Sequence, residues 1–266
     1  HDLDRWGVDG KVSINRDDII LNVDKLSKRF GGFAAVTGVD LKVRRGSIHA
    51  LIGPNGAGKT TCFNLLTKFL QPTSGTIVFD GRDITRLPAA EIAQLGLVRS
   101  FQISAVFPRL TVLENVRVAI QRRQRGDSFD FWRSERSLHD YDLEAWERLA
   151  EVGLSDYAHV PAGELPYGRK RALEIATTLA LDPQMLLLDE PMAGMAHEDV
   201  GRISALIRSV SAGRTILMVE HNLSVVAELS DRITVLARGQ VLAEGSYEEV
   251  SKDPRVIDAY IGVGHG

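Results

Sequence analysis

Gly53-Pro54-Asn55-Gly56-Ala57-Gly58-Lys59-Thr60 decides the fold, because it matches the pattern G-x-x-x-x-G-K-[ST] at every fixed position. Residues 47–52, which precede it, form a short apolar run with β-branched members and predict a buried strand. Residues 61–70, which follow it, repeat apolar side chains at helical spacing. Strand, glycine-rich loop and helix are together the context that a phosphate-binding loop requires.

The residue types of this loop suit the binding of a polyphosphate. Glycines let successive backbone N–H groups point inward, and the start of the following helix adds its positive dipole end. Lys59 can reach the outer phosphates, and the Thr60 hydroxyl can ligate Mg²⁺. We therefore predict that the loop and Thr61 bind a nucleotide with its magnesium ion.

The composition bounds the class of protein. The chain has 266 residues, of which 44% are hydrophobic, so it can bury a sizeable core. Its net charge of −3 argues against a protein that binds nucleic acid through overall charge. A single cysteine, Cys62, cannot form an internal disulfide and favours a reducing compartment. No apolar run approaches the ~20 residues of a membrane-spanning helix, and the start shows no signal-peptide pattern. We therefore expect an intracellular chain that meets a membrane only through partners.

Polar side chains stand at the ends of three predicted strands. Gln102 follows an apolar strand that begins at Leu97, Asp189 and Glu190 end the run that begins at Met185, and His221 follows residues 215–219. The carboxyl ends of strands in an open α/β sheet border its ligand site. Asp189 can hold the Mg²⁺ shell, and Glu190 can orient or deprotonate a water aimed at the γ-phosphate. His221 can donate to that phosphate, and Gln102 can touch Mg²⁺ or the attacking water.

An aromatic side chain just upstream of a phosphate loop can stack on a nucleotide base. Phe30 is the first candidate for this role and Phe33 the second, and ordinary packing of either ring is the open alternative.

The character of the sequence changes between about residue 103 and residue 180, where helical patterns predominate. We predict a helical subdomain inserted in an α/β host. The predicted boundaries are a leader at 1–17, a nucleotide-binding core at 18–102 and 181–250, the helical subdomain at 103–180, and a helical tail at 251–266. In the tail, Val256, Ile257, Tyr260 and Ile261 form an apolar stripe that we expect to pack on the chain's own core.

The order of these elements resembles the ATPase subunits of ATP-binding-cassette (ABC) transporters over about residues 18–262. The phosphate loop is followed by Gln102, then by Leu165-Pro166-Tyr167-Gly168-Arg169, then by Asp189-Glu190 and His221. The resemblance implies an α/β fold with a P-loop core, an antiparallel β subdomain and a helical subdomain. It implies ATP and Mg²⁺ as ligands.

The resemblance also assigns roles to individual residues. It makes Phe30 the base-stacking aromatic, 53–60 the Walker A loop and Gln102 the Q-loop glutamine. It makes Asp189 the Walker B acid, which is a metal ligand together with Thr60 and Gln102. Glu190 is then the catalytic base and His221 the switch histidine, and Leu165, Gly168 and Arg169 belong to the signature that binds the γ-phosphate held by the opposite subunit.

Two finer features resemble the branched-chain amino-acid uptake ATPases of LivG type. They are Tyr167-Gly168 with the following 173–176, and the tail from Asp253 to Gly262. The resemblance implies a second ATPase subunit, identical or related, two membrane permeases and, indirectly, a substrate-binding protein, at the cytoplasmic face of the membrane and without nucleic acid. A urea or short-amide importer, a lipid or lipopolysaccharide exporter, a soluble ABC ATPase and a cassette without turnover remain alternatives.

The signature departs from the usual L-S-G-G-Q of the family. Pro166 stands in place of serine and Arg169 in place of glutamine. Proline removes both a hydroxyl and a backbone N–H that would face the partner's γ-phosphate, whereas Arg169 can restore positive charge there. We therefore predict that the composite site using this signature works less well than its twin.

Overall fold

The computed structural model describes residues 18–100, 106–124 and 135–261, without the side chains of 124, 135–139 and 261. The strands in this part of the chain are β1 (Ile19–Phe30), β2 (Phe33–Arg44), β3 (Ile48–Ile52), β4 (Ser74–Phe79), β5 (Arg82–Asp83), β6 (Leu97–Arg99), β7 (Met185–Asp189), β8 (Thr215–Val219), β9 (Arg232–Ala237) and β10 (Gln240–Gly245). The helices are α1 (Lys59–Leu66), α2 (Ala89–Gln94), α3 (Val112–Gln124), α4 (Glu135–Glu151), α5 (Tyr167–Leu179), α6 (His197–Val210), α7 (Leu223–Leu229), α8 (Tyr247–Ser251) and α9 (Pro254–Ile261).

A six-stranded sheet in the order β10-β9-β3-β8-β7-β6 positions the predicted site. Its strands run parallel except for β10, which pairs antiparallel with β9. The phosphate loop follows β3, Asp189 ends β7, and β8 between them leads to His221. Three neighbouring strands therefore deliver their polar residues to one edge of the sheet, as the strand-end pattern predicts.

The strands of this sheet are apolar throughout because both of its faces are covered. Leu186 and Leu188 of β7 enter a core formed with helices α3 to α9, whereas Met185 and Leu187 enter a second core. The second core also holds α1 and the inner face of the antiparallel sheet. Alternation along each strand sends successive side chains to opposite faces, so a strand buried on both sides shows no polar period.

A four-stranded antiparallel sheet in the order β2-β1-β4-β5 packs on the second core. Its hairpin strands β1 and β2 are 12 residues long each, and only Gly31 and Gly32 separate them. The register shifts between Val23 and Leu26, where Lys25 has a left-handed backbone with φ of 46°. Such a bulge reverses which face the following residues take, so the polar/apolar alternation that predicts a strand stops there.

Helices α3, α4 and α5 pack on one another, and α5 begins at the predicted signature. Thr111 and Glu114 form a capping box at the start of α3, since Thr111 Oγ1 accepts from the Glu114 N–H at 3.2 Å and Glu114 Oε2 accepts from the Thr111 N–H at 2.7 Å.

The tail forms α9, as predicted, but its apolar stripe is only partly buried. Val256 is buried and Tyr260 packs against the core, whereas Ile257 is 42% exposed. The prediction for Ile257 was therefore wrong, because α9 presents only one side to β10 and α8. The fourth residue of the stripe, Ile261, has its side chain outside the described part.

Candidate nucleotide-binding site

A pocket of about 330 Å³ opens between the phosphate loop, the antiparallel sheet and the ends of β7 and β8. This volume lies in the range of small-molecule sites. The lining consists of Phe33, Ala35, Asn55, Gly56, Ala57, Gly58, Lys59, Thr60, Thr61, Glu190 and His221. The structure thus brings together residues that the sequence analysis had assigned to nucleotide binding and to hydrolysis.

The backbone of the loop depends on glycine at its two ends. Gly53 has φ of 152°, and a Cβ there would lie 2.2 Å from the backbone oxygen of Leu236 on β9. Gly58 has φ of 101°, and a Cβ there would lie 2.9 Å from the Ala35 oxygen. Any side chain at either position would push the loop away from the strands that hold it, so these glycines fix the loop against the sheet.

Lys59 is the buried cation of the pocket. Its Nζ donates to the backbone oxygens of Gly53 at 2.7 Å and of Pro54 at 3.0 Å. Burial lowers the pKa of the ammonium, and the nearby carboxylate of Glu190 opposes that shift. The ammonium is therefore held at the mouth of the loop by two neutral acceptors, which anionic phosphate oxygens can outcompete.

Glu190 and His221 form a hydrogen-bonded pair in the pocket wall. Glu190 Oε1 lies 2.7 Å from His221 Nε2, and both side chains are more than 40% exposed. The backbone of Glu190 is left-handed, with φ of 48°, and its N–H donates to the Val219 oxygen at 2.9 Å. Non-glycine residues rarely adopt this conformation, and those that do are often found at functional sites. The turn aims the carboxylate into the pocket instead of continuing β7.

Glu220 holds this pair in place, a role that the sequence analysis missed. Its side chain is buried, and one carboxylate oxygen accepts from the Met192 N–H at 2.9 Å. The other oxygen accepts from the N–H groups of His221 at 3.0 Å and Asn222 at 3.3 Å. The carboxylate thus joins the loop after Glu190 to the turn that carries His221. In the sequence, this role was indicated only by the position of Glu220, an acid between the apolar run 215–219 and His221.

Asp189 is held by a second residue that sequence reasoning missed, Arg99 at the end of β6. The Arg99 guanidinium is 2% exposed and forms an ion pair with Asp189 Oδ2. It also donates to Asn64 Oδ1 of α1 at 2.8 Å and lies 5.5 Å from the centre of the Phe63 ring. This contact fixes the carboxylate rotamer and leaves its other oxygen unengaged by Arg99. A cation in an otherwise apolar strand was the signal in the sequence.

The predicted signature residues lie at the start of α5. Pro166 is its N-cap, and its backbone oxygen accepts from the N–H groups of Arg169 and Lys170 at 3.0 Å each. The Arg169 guanidinium stacks on the Tyr157 ring at 4.0 Å. Leu165 is 3% exposed and packs in the core. Roles in nucleotide binding for Leu165, Gly168 and Arg169 stay predictions.

Tyr167 is a further departure from the usual signature, which has glycine at this position. Tyr167 is not among the departures identified from the sequence. Its hydroxyl donates to the Ala193 oxygen at 3.0 Å and accepts from Arg171 at 2.9 Å. The next residue, Gly168, has no room for a side chain, because a Cβ would lie 2.5 Å from the Asp199 carboxylate.

The two aromatic candidates differ in position. Phe33 lines the pocket, whereas Phe30 lies beside Lys28, whose Nζ is 5.2 Å from the ring centre. A base-stacking role for Phe30 stays a prediction, and the pocket lining favours Phe33. Gln102 lies outside the described residues, so its predicted part in the site also stays a prediction.

The donor set suits a magnesium ion. Thr60 offers a hydroxyl at the pocket, and Asp189 offers a carboxylate oxygen that Arg99 does not engage. Hard oxygen ligands of this kind, completed by phosphate oxygens and water, are those that Mg²⁺ prefers. Thr60 and Asp189 therefore fit the metal that a nucleotide would carry.

Known protein families match two parts of this chain. Residues 36–193 match the ABC transporter family, which is more than half of the chain. The chain belongs to the ABC transporter ATPases. Residues 240–266 of this cassette also match the branched-chain amino acid ATP-binding cassette transporter family. The family prediction made from the sequence is therefore confirmed.

Similar proteins cover almost the whole cassette. It is 43% identical to the high-affinity branched-chain amino acid transport ATP-binding protein BraF of Pseudomonas aeruginosa over 253 residues, which is 91% of this chain and 98% of BraF. It is 40% identical to LivG of Escherichia coli K12 over 249 residues, which is 91% of this chain and 98% of LivG. The ADP conformation of MJ1267, an ATP-binding cassette of an ABC transporter, superposes with a TM-score of 0.81 at 33% identity, covering 92% of this chain and 99% of that one. This likeness confirms the predicted fold class.

Within the described ranges, no helix of the cassette is both long and apolar enough to cross a bilayer.

Proposed function

We propose that this cassette hydrolyses ATP to drive the uptake of branched-chain amino acids. The hydrolytic part rests on one observation, the pocket in which Lys59 of the phosphate loop faces the Glu190–His221 pair. The choice of cargo class rests on the C-terminal match to the branched-chain amino acid family and on the names of the similar proteins.

The residues of the pocket divide the chemistry between them. Backbone N–H groups of the loop and the Lys59 ammonium bind the β- and γ-phosphates and offset their charge. Glu190 keeps one oxygen on His221 and has the other to orient a water and accept its proton. As charge develops on the γ-phosphoryl group, His221 would give up its hydrogen bond to Glu190 and donate Nε2–H to that group instead. A magnesium ion held by Thr60 and Asp189 would neutralise further phosphate charge when bound.

We propose that the cassette works with a second ATPase subunit and two membrane permeases. A dimeric assembly is known for the related cassette MJ0796, whose post-hydrolysis state is bound to ADP and Pi, at 25% identity and a TM-score of 0.70. In such a pair, the signature at the start of α5 would meet the nucleotide of the partner. The permeases would hold the cassette at the cytoplasmic membrane face.

Uptake by intact cells tests the cargo. A host strain without its own copy of this gene, complemented with the unaltered chain, is expected to regain uptake of labelled leucine, isoleucine and valine. Complementation with Lys59→Ala is expected to fail, because the variant lacks the phosphate-binding cation. Recovery of urea or acetamide uptake without recovery of leucine uptake would contradict the amino-acid assignment.

The signature allows a separate prediction. Replacing Pro166 with serine restores an N-cap hydroxyl and a backbone N–H at the start of α5. If the partner's nucleotide binds there, one added hydrogen bond should raise the ATPase rate of the assembled complex about two- to tenfold. Steady-state phosphate release measures this, with Pro161→Ser, at the nearby N-cap of a short 3₁₀ turn, as the control. An unchanged rate for Pro166→Ser would count against the weakened-site prediction.

A further inference from the structure

We propose that the Tyr167 hydroxyl is a positioning group that couples the signature to the hydrolytic pair of its own subunit. The inference rests on the proposed function, since it needs a partner nucleotide at the signature. Tyr167 places a side chain where the usual signature has glycine.

The first link joins α5 to the loop between β7 and α6. The Tyr167 hydroxyl donates to the backbone oxygen of Ala193 at 3.0 Å, and Arg171 fixes the hydroxyl from the other side at 2.9 Å. A Cβ on Gly194, whose φ is +72°, would lie 3.6 Å from the same hydroxyl. The loop therefore rests against the Tyr167 side chain.

A second contact strengthens the same junction. The carboxylate of Asp199, in the first turn of α6, packs against Gly168 so closely that a Cβ would lie 2.5 Å away. The start of α5 thus touches both ends of the segment 193–199. A displacement of α5 would have to move this segment or break the contacts.

The remaining links lead from the loop to the pocket. The Ala193 N–H donates to the backbone oxygen of Glu190 at 3.0 Å. The N–H of its neighbour Met192 donates to the carboxylate of the buried Glu220 at 2.9 Å. Glu220 accepts in turn from the His221 N–H at 3.0 Å. Hydrogen bonds and single peptide units therefore connect Tyr167 with both members of the Glu190–His221 pair.

This connection gives the tyrosine a function that glycine cannot have. The γ-phosphate of the partner's nucleotide would shift or stabilise the start of α5 when it binds there. Tyr167 would pass that change to Glu190 and His221, which act on the nucleotide bound by their own subunit. The physical basis is a contiguous path of hydrogen bonds and peptide units, which is one kind of network that can couple two sites.

Tyr167→Phe removes the hydroxyl and keeps the ring. In the complex assembled with the second ATPase and the permeases, we expect kcat to fall about three- to tenfold, as for the loss of one hydrogen bond, with the ATP concentration at half-maximal rate changed less than twofold. The Hill coefficient of hydrolysis should fall toward one. Tyr157→Phe is the matched control, because its ring, which stacks on Arg169, is retained.

Amide hydrogen exchange gives a readout besides turnover. With a non-hydrolysable ATP analogue and Mg²⁺, the unaltered complex should gain protection both in the phosphate loop and in residues 190–196. Tyr167→Phe should retain the first gain and lose most of the second. Equal protection of 190–196, or an unchanged kcat and Hill coefficient, would overturn the inference. If the unaltered complex neither binds nor hydrolyses ATP, the proposed function fails instead.

Discussion

Replacing Glu190 with glutamine is expected to lower ATP turnover about 100- to 10,000-fold and to leave nucleotide affinity nearly unchanged, because the loss is that of a general base. The Glu190 side chain lies in the pocket wall with Oε1 on His221 Nε2 at 2.7 Å. Glutamine has the same shape and can keep a hydrogen bond to the imidazole, but its amide cannot take a proton from water. The substitution therefore removes the proton acceptor and keeps the shape of the side chain and its hydrogen bond to His221.

Two measurements on purified complex check this prediction. Phosphate release gives the turnover, and fluorescent ATP-analogue titration gives the affinity. Glu248→Gln, on the exposed surface of α8, is the matched control and should leave both values unchanged. Turnover of Glu190→Gln within threefold of the unaltered chain would remove Glu190 from the role of catalytic base.

The phosphate loop and the polar strand ends were readable from the sequence for a physical reason. Parallel strands in a covered sheet end at one edge, so a polar residue after an apolar run is placed by the fold itself. Lys59, Glu190 and His221 follow this rule, and all three line one pocket. The domain boundaries and the individual nucleotide contacts stay predictions.

The residues that hold the site could not be assigned in this way. Arg99 lies 90 positions before its carboxylate partner Asp189 and 35 after Asn64, so only the packed sheet brings the three together. Glu220 acts through backbone N–H groups, which leave no pattern of side chains in the sequence. Their partners depend on tertiary structure and not on local spacing.

The hairpin of β1 and β2 shows another limit. A two-residue turn at Gly31 and Gly32 puts Phe33 at the pocket, whereas Phe30 ends the preceding strand beside Lys28. Sequence spacing places both rings equally near the phosphate loop. Phe30 and Phe33 are also paired across the turn, so strand pairing does not separate them either. Of the two rings, the packed structure places only Phe33 in the pocket lining.

Replacing Arg99 with methionine is expected to destabilise the cassette by about 3 kcal/mol, because breaking a buried ion pair leaves an uncompensated charge. The guanidinium is 2% exposed, and the Asp189 side chain, at 24%, is only partly reached by water. Methionine fills much of the same volume, so the loss comes from the charge and from the unsatisfied Asn64 oxygen rather than from a cavity. Urea unfolding at neutral pH measures the change.

A second substitution isolates the cause of that loss. Adding Asp189→Asn to Arg99→Met removes the orphaned charge, so the double variant should regain most of the lost stability. Arg202→Met, which breaks an exposed pair with Asp199, is the control and should hardly move the urea midpoint. If Arg99→Met proved as stable as the unaltered chain, or if the two losses simply added, Arg99 would not be the group that holds Asp189. The rotamer that leaves one carboxylate oxygen of Asp189 unengaged by Arg99 would then need another explanation.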